Sequence, residues 1–178
     1  MPAEQNRYRS ISLISILLSA WFVSCLAETS TEEENLIAAL SLNIIRFSAW
    51  PEPQTTPFDL CVYGDNVTKE AFSSLEAKEL GSRFLHVVGL DRLIELERCD
   101  ALYINDINPN LLYQVLNDLK TKPVLTLSYS DSFAEKGGMI GLRKNNGIFV
   151  IDINLRACHE AGIVISSRLL SLANIVAQ

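Results

Sequence analysis

Histidine is nearly missing from this chain, with only His86 and His159 among 178 residues. His86 falls inside an apolar run and reads as a hydrogen-bonded structural histidine. His159 directly follows Cys158, but side chains one residue apart on a helix do not face each other, so a Cys–His dyad is not expected. Four cysteines and two distant histidines match no zinc-ligand spacing. Basic residues are also few, 15 against 21 acidic, for a net charge of −6. A nucleic-acid binder needs a clustered basic face, and adhesion to anionic lipid heads needs the same, so both classes are excluded. The G-x-G-x-x-G phosphate grammar is missing too. Gly64-Asp65-Asn66 sits where an α/β fold often grips phosphate, but Asp65 would repel it, and a plain tight turn is expected. Gly137-Gly138 reads as a loop into a hairpin. No repeat, low-complexity segment or linker is evident.

Only one long apolar run is present, Ile11 to Val23, preceded by Arg7 and Arg9 and followed by small residues around Ser24, Cys25 and Ala27. Its 13 residues fall short of the roughly 20 that span a bilayer, and the three-part pattern is that of a secretory signal peptide. Small residues at Cys25 and Ala27 place cleavage before Glu28. The expected organisation is a signal peptide over residues 1–27 and one domain over 28–178. Phe22-Val23-Ser24-Cys25 is a poor lipobox, so soluble release is expected, with a form lipid-anchored through Cys25 as the alternative. Residues 1–27 carry two arginines and one glutamate, which leaves 13 basic and 20 acidic side chains, net −7, on a chain large enough for a proper core.

The remainder alternates helical and extended patterns. Thr31 and Glu34 form a capping box, and Leu36, Ile37, Leu40, Ile44 and Phe47 recur at helical spacing, predicting a helix over 32–47. Trp50-Pro51 ends it. Strands are predicted at Phe58–Gly64, Arg83–Val88, Asp100–Ile104 and Val124–Leu127. Helices are predicted at about 67–77 and from Asn108-Pro109 to Leu119, with a short turn at Asp91–Leu96. Asn145-Asn146-Gly147 between the apolar runs Gly138–Arg143 and Ile148–Asn154 is a strong hairpin signal. Helices follow at Leu155–Glu160 and Ser166–Val176. The fold class is therefore α/β, a three-layer sandwich with a mostly parallel central sheet plus a C-terminal antiparallel hairpin.

Cys61 lies in the first strand and Cys99 at the entrance to the third. In an exported protein these are good disulfide candidates, two buried free thiols being the alternative. Cys158 is then the odd cysteine.

Several segments in order resemble a known family. Arg46-Phe47-Ser48-Ala49-Trp50-Pro51 resembles the helix-then-F-x-x-W-P opening of the YfiR-like periplasmic proteins. Leu60-Cys61-Val62-Tyr63-Gly64 is similar to their first strand, and Cys99-Asp100-Ala101-Leu102-Tyr103 to their C-D-x-L-Y strand. Pro123-Val124-Leu125-Thr126-Leu127-Ser128 is similar to P-V-L-T-I-S, and Asn154-Leu155, Ala161-Gly162-Ile163 and Ser167–Ala173 to the closing segments. The likeness covers nearly all of residues 32–175 and rests on order and spacing, no single motif being specific.

The resemblance implies a periplasmic repressor that docks on the periplasmic sensor domain of a membrane-bound diguanylate cyclase, lowering cyclic di-GMP and biofilm formation. It implies a disulfide between Cys61 and Cys99, no cofactor and no catalysis. A homodimer and an outer-membrane lipoprotein partner are further expectations of the same kind. The family's second, hairpin-region disulfide has no counterpart, because Met139 to Val150 contains no cysteine. Repression of this sort needs only differential affinity for two states of the partner. Phe149, Ile151, Leu155 and Ile163 are the candidate docking residues, with ordinary core as the alternative reading. Two other functions stay open: a small-ligand or nucleotide-binding module at the strand ends near Gly64 and Asn105-Asp106, and a cryptic hydrolase or redox enzyme using Cys158.

Overall fold

The computed structural model describes residues 31–51 and 57–177. The expected signal peptide and Cys25 lie outside the described residues. Helix α1 runs over 31–46. Its buried stripe is Ile37, Ala38, Ser41, Leu42, Ile44 and Ile45, while Leu36 and Phe47 are left on its exposed edges. β1 (Ser48–Ala49) follows and pairs antiparallel with β9 (Val164–Ile165). Two-residue strands carry no sequence period, so both escape a pattern-based reading.

The main sheet begins with β2 (Phe58–Tyr63), α2 (Asn66–Ser73), the two-residue β3 (Glu79–Leu80) and β4 (Arg83–Leu90). The Asp65 side chain accepts from the Thr68 amide at 2.8 Å, so the Gly64-Asp65-Asn66 segment caps α2 instead of awaiting phosphate. β5 (Ala101–Ile104) follows a single 3-10 turn at Leu96–Arg98, slightly later than the turn predicted at Asp91–Leu96. α3 (Pro109–Leu119) starts as expected, with Asn108 accepting from the Asn110 amide and proline in the first turn. β6 (Leu125–Tyr129), β7 (Ile140–Asn145) and β8 (Ile148–Asn154) complete the predicted strands. Asn146 and Gly147 both have positive φ, 50° and 81°, as a two-residue type I′ hairpin turn requires.

α4 (Leu155–Glu160) is capped by Asn154, and α5 (Ser167–Leu170) by Ser166. Here the sequence expectation fails. The helix predicted over Ser166–Val176 stops after one turn, and Asn174–Ala177 forms β10, parallel to β8. Isoleucine and valine favour extended backbone, and the open edge of β8 supplies the ladder that local helical periodicity does not reveal.

The eight strands run in the order β10-β8-β7-β6-β5-β2-β4-β3. From β4 to β7 every neighbour is parallel, and the antiparallel joints are β7–β8 and β3–β4. Alternation along each strand divides the interior into two cores. Leu60, Val62, Ala101 and Tyr103 face α1 and α2, together with Cys158 and Leu169 of the C-terminal helices. Cys61, Leu102 and Ile104 face α3, with Leu112, Leu116 and Leu119. Helices cover both faces of a mostly parallel sheet, as the strand pattern requires.

Candidate functional site

The motif residues converge at the amino ends of the strands. The Trp50 indole N–H donates to the Asp100 carbonyl at 3.0 Å. The Asp100 carboxylate accepts from the Asp59 amide at 2.9 Å and from the Arg83 guanidinium at 2.6 Å. Arg83 lies 4.7 Å above the Phe58 ring, which in turn meets Trp50 edge-on at 5.0 Å. Next to Asp100, Cys99 is bonded to Cys61 with Cα atoms 5.8 Å apart, across the β2–β5 joint. These contacts give the motifs a packing explanation. Tryptophan, aspartate and the cysteine pair tie the segment after α1 to two neighbouring strands.

Groups suited to catalysis are placed elsewhere and apart. Cys158 is 1% exposed, and burial pushes its thiol up to about 12, so it stays protonated within the main core at neutral pH. His159 is exposed in the last turn of α4. His86 is also on the surface, with Nδ1 at 2.8 Å from an Asp59 oxygen, a partnered surface histidine on the apolar-patterned β4.

The four residues proposed for docking divide between surface and interior. Phe149, Ile151 and Leu155 are half-buried and pack on the rim of the main core. Ile163, at 3% exposure, lies beneath that surface as a core residue. The hairpin strand carries a more accessible apolar side chain, Ile148, and Val164 and Leu172 are comparably exposed on the same C-terminal segment of the chain. Ile148 is legible in hindsight as the alternation partner next to the Asn-Gly turn. Phe149 stacks on Tyr129 at 5.8 Å and lies under the Lys144 ammonium at 5.6 Å.

A second cluster was not anticipated from the sequence. Glu33 in the first turn of α1 accepts from the Tyr129 hydroxyl at 2.6 Å and from the Lys144 ammonium at 3.0 Å, which holds its carboxyl below the usual range. Burial drives its neighbour Glu34 the other way, with Asp65 and Glu33 adding repulsion. One Glu34 oxygen and the Tyr103 hydroxyl are buried without a hydrogen-bond partner among the described residues. Consecutive glutamates in a capping segment look alike in sequence. Only the packed helix distinguishes the one facing Lys144 from the one facing the interior.

At the carboxyl ends of the strands the structure has open space. The strand order reverses at β2, between β4 and β5, and a cleft of about 230 Å³ sits there, lined by Asp65, Asp91 and Asp106. Its lysine, Lys69, is already tied to Asp91 at 2.6 Å. Three carboxylates make this a poor phosphate site. A larger cavity of about 640 Å³ lies beside it, between α3 and the ends of β5 and β6. Asn105-Asp106 therefore border real space, whereas Gly64 borders only the acidic cleft.

No helix among the described residues is long and apolar enough to cross a membrane. No curated protein sequence matches the chain. Among solved structures, it is similar to a conserved domain protein from Vibrio cholerae O1 biovar El Tor, with 12% identity and a TM-score of 0.55 over 80% of this chain. It is also similar to an ABC domain from Streptococcus pneumoniae solved in complex with L-Trp, with 13% identity and a TM-score of 0.53 over 76% of this chain. The chain spans 59% and 60% of the lengths of these two proteins, and the likeness is one of fold. The sequence model of the DUF4154 family, described as YfiR/HmsC-like, matches residues 34–174, from the first turn of α1 into β10. The chain belongs to the YfiR/HmsC-like family.

Proposed function

We propose that this protein is a periplasmic regulatory binding protein that holds an inner-membrane diguanylate cyclase inactive by docking on its periplasmic sensor domain. The observation that carries this reading is the family match, which extends over nearly the whole described fold. A binding role also suits the chemistry: the free cysteine among the described residues, Cys158, is a buried, protonated thiol, and the polar network at Asp100 and Arg83 is turned inward to hold strands together.

Repression by docking requires that the protein bind the inactive sensor more tightly than the active one; a tenfold preference corresponds to about 1.4 kcal/mol. The proposed contact surface is the hairpin side of the sheet. Ile148 is 70% exposed on one face of β8, and the half-buried Phe149 and Ile151 lie on the opposite face with Leu155 following, so a partner would take the hairpin from both faces. The interior Ile163 would support the half-buried residues without touching a partner. Export through residues 1–27 would place the molecule in the compartment where such sensors are displayed and where the Cys61–Cys99 bridge is stable.

The test is genetic and quantitative. Deleting the gene should raise cyclic di-GMP in a strain that retains the cognate cyclase and leave it unchanged in a strain lacking that cyclase. Equal cyclic di-GMP with and without the gene, in the cyclase-positive background, would refute the proposal.

A further inference from the structure

We infer that the cavity between α3 and the ends of β5 and β6 is a binding site for an uncharged sugar, a short saccharide with a flat ring face and neighbouring hydroxyls. Its volume of about 640 Å³ is within the range of roughly 300–1,000 Å³ that holds small organic ligands. It opens at the carboxyl ends of two parallel strands, the end of an α/β sheet at which ligands bind. One wall is α3. Asn110 and Tyr113 are three residues apart in that helix and so share a face of it, while Leu112 and Leu116 make an apolar floor.

The lining selects the ligand by charge, by polarity and by one aromatic ring. Asp106 and Lys136 carry its formal charges at neutral pH, one of each sign, so the two cancel. Asp106 also borders the cleft that holds Asp65 and Asp91, and an anion meets repulsion there. Lys136 sets the same limit on a cation. The polar remainder is amide and hydroxyl. Asn105 and Asn110 each carry donors and an acceptor on one planar group. The Asn105 oxygen accepts from the Asp106 amide at 3.1 Å, so that side chain is already held, and its NH2 group remains a donor. Neighbouring sugar hydroxyls, which donate and accept in turn, match such groups. Tyr113 supplies the ring. It is 72% exposed and takes no part in the ring-on-ring contacts of the described residues. Its face is apolar surface left in water, and the C–H face of a pyranose covers it while the edge hydroxyls reach Asn110. A wholly apolar ligand would instead strip water from the amides and return no hydrogen bond. An acyclic polyol has the hydroxyls but no flat face.

This inference is independent of the cyclase reading, since it involves no residue of the hairpin and its readout is sugar binding, not cyclic di-GMP. Cellobiose, maltose and lactose are the probes, each titrated calorimetrically into the purified full-length protein. Mannitol is the acyclic counterpart, and glucuronate and glucosamine are the charged ones. Saturable one-site binding of at least one of the three disaccharides is expected, with mannitol, glucuronate and glucosamine each at least tenfold weaker. Tyr113→Ala should weaken that disaccharide at least fivefold, whereas Tyr113→Phe, which keeps the ring face, should hold it within twofold. Asn110→Ala should also weaken it at least fivefold. Both residues are exposed, so the fold should be retained, as an unchanged circular dichroism spectrum would show. No saturable binding of any of the three disaccharides, binding of mannitol or a charged sugar as tight as theirs, or an affinity indifferent to Tyr113→Ala would each overturn the assignment.

Discussion

Trp50 and Asp100, fifty residues apart, are joined by one hydrogen bond from the indole N–H to the Asp100 carbonyl. The bond fastens the exit of α1 to the start of β5. The same aspartate uses its side chain to hold Arg83, and both side chains are only 12% exposed. Removing one partner of such a pair leaves a buried charge uncompensated. Asp100→Ala should therefore destabilise the fold by about 3–5 kcal/mol. Asp100→Ala combined with Arg83→Met should recover part of that loss, measured by urea unfolding of the two single variants and the double variant.

Reducing the Cys61–Cys99 bridge frees a 38-residue separation in the unfolded chain. The loop-entropy relation assigns this about 3–4 kcal/mol. Cys61→Ala combined with Cys99→Ala should lower the urea midpoint accordingly with an unchanged native spectrum. Cys158 should remain unreactive toward a thiol reagent until the protein unfolds, because it is 1% exposed and protonated.

Glu34 provides a pH test with a definite sign. Its folded-state carboxyl is raised by burial, so the stability linked to its neutral form is fully present below the ordinary carboxylate range and lost as pH rises through the folded value. Glu33 is shifted down, so its contribution is present above the ordinary range and lost as pH falls. Glu34→Gln should raise the Tm at neutral pH, with the gain shrinking to nothing near pH 4. A gain independent of pH would contradict the assignment.

Gly138 tests packing at the entry to the hairpin. A methyl group there would overlap the ring of Phe133, which is 1% exposed in the α3-side core. Gly138→Ala should cost about 1–3 kcal/mol through overpacking, read from the shift in thermal unfolding.

Ile148→Asp addresses the proposed docking surface. At 70% exposure the change should leave stability within about 0.5 kcal/mol. Cyclic di-GMP should nonetheless rise toward the deletion level in the cyclase-positive strain. Full repression by a normally expressed variant would remove Ile148 from the proposed contact.

The sequence carried the parts of this fold that are written locally. Asn108-Pro109 marked the start of α3, Asn146-Gly147 the hairpin, and Leu155–Glu160 the fourth helix. What it did not carry depends on distant partners. Ser48–Ala49 is a strand only because Val164–Ile165 lies beside it, and Asn174–Ala177 only because β8 has an open edge. The cavity of about 640 Å³ between α3 and the ends of β5 and β6 was equally hidden, since its lining comes from segments brought together only by folding. Of the surface suggested for docking, Phe149, Ile151 and Leu155 occupy its margin, whereas the exposure of Ile148 and the burial of Ile163 depend on which side of the sheet each side chain faces.

The division of the interior by the sheet has its own outcome. The cystine lies wholly in the layer shared with α3, while Glu34 and the unpartnered hydroxyl of Tyr103 lie on the side of α1 and α2. Redox state and acidity therefore enter this molecule by opposite sides of one sheet. Reduction would remove a constraint anchored in the layer shared with α3, and titration would act on Glu34 in α1 on the other side. The two disturbances are separable in one protein, each with its own half of the structure to report it.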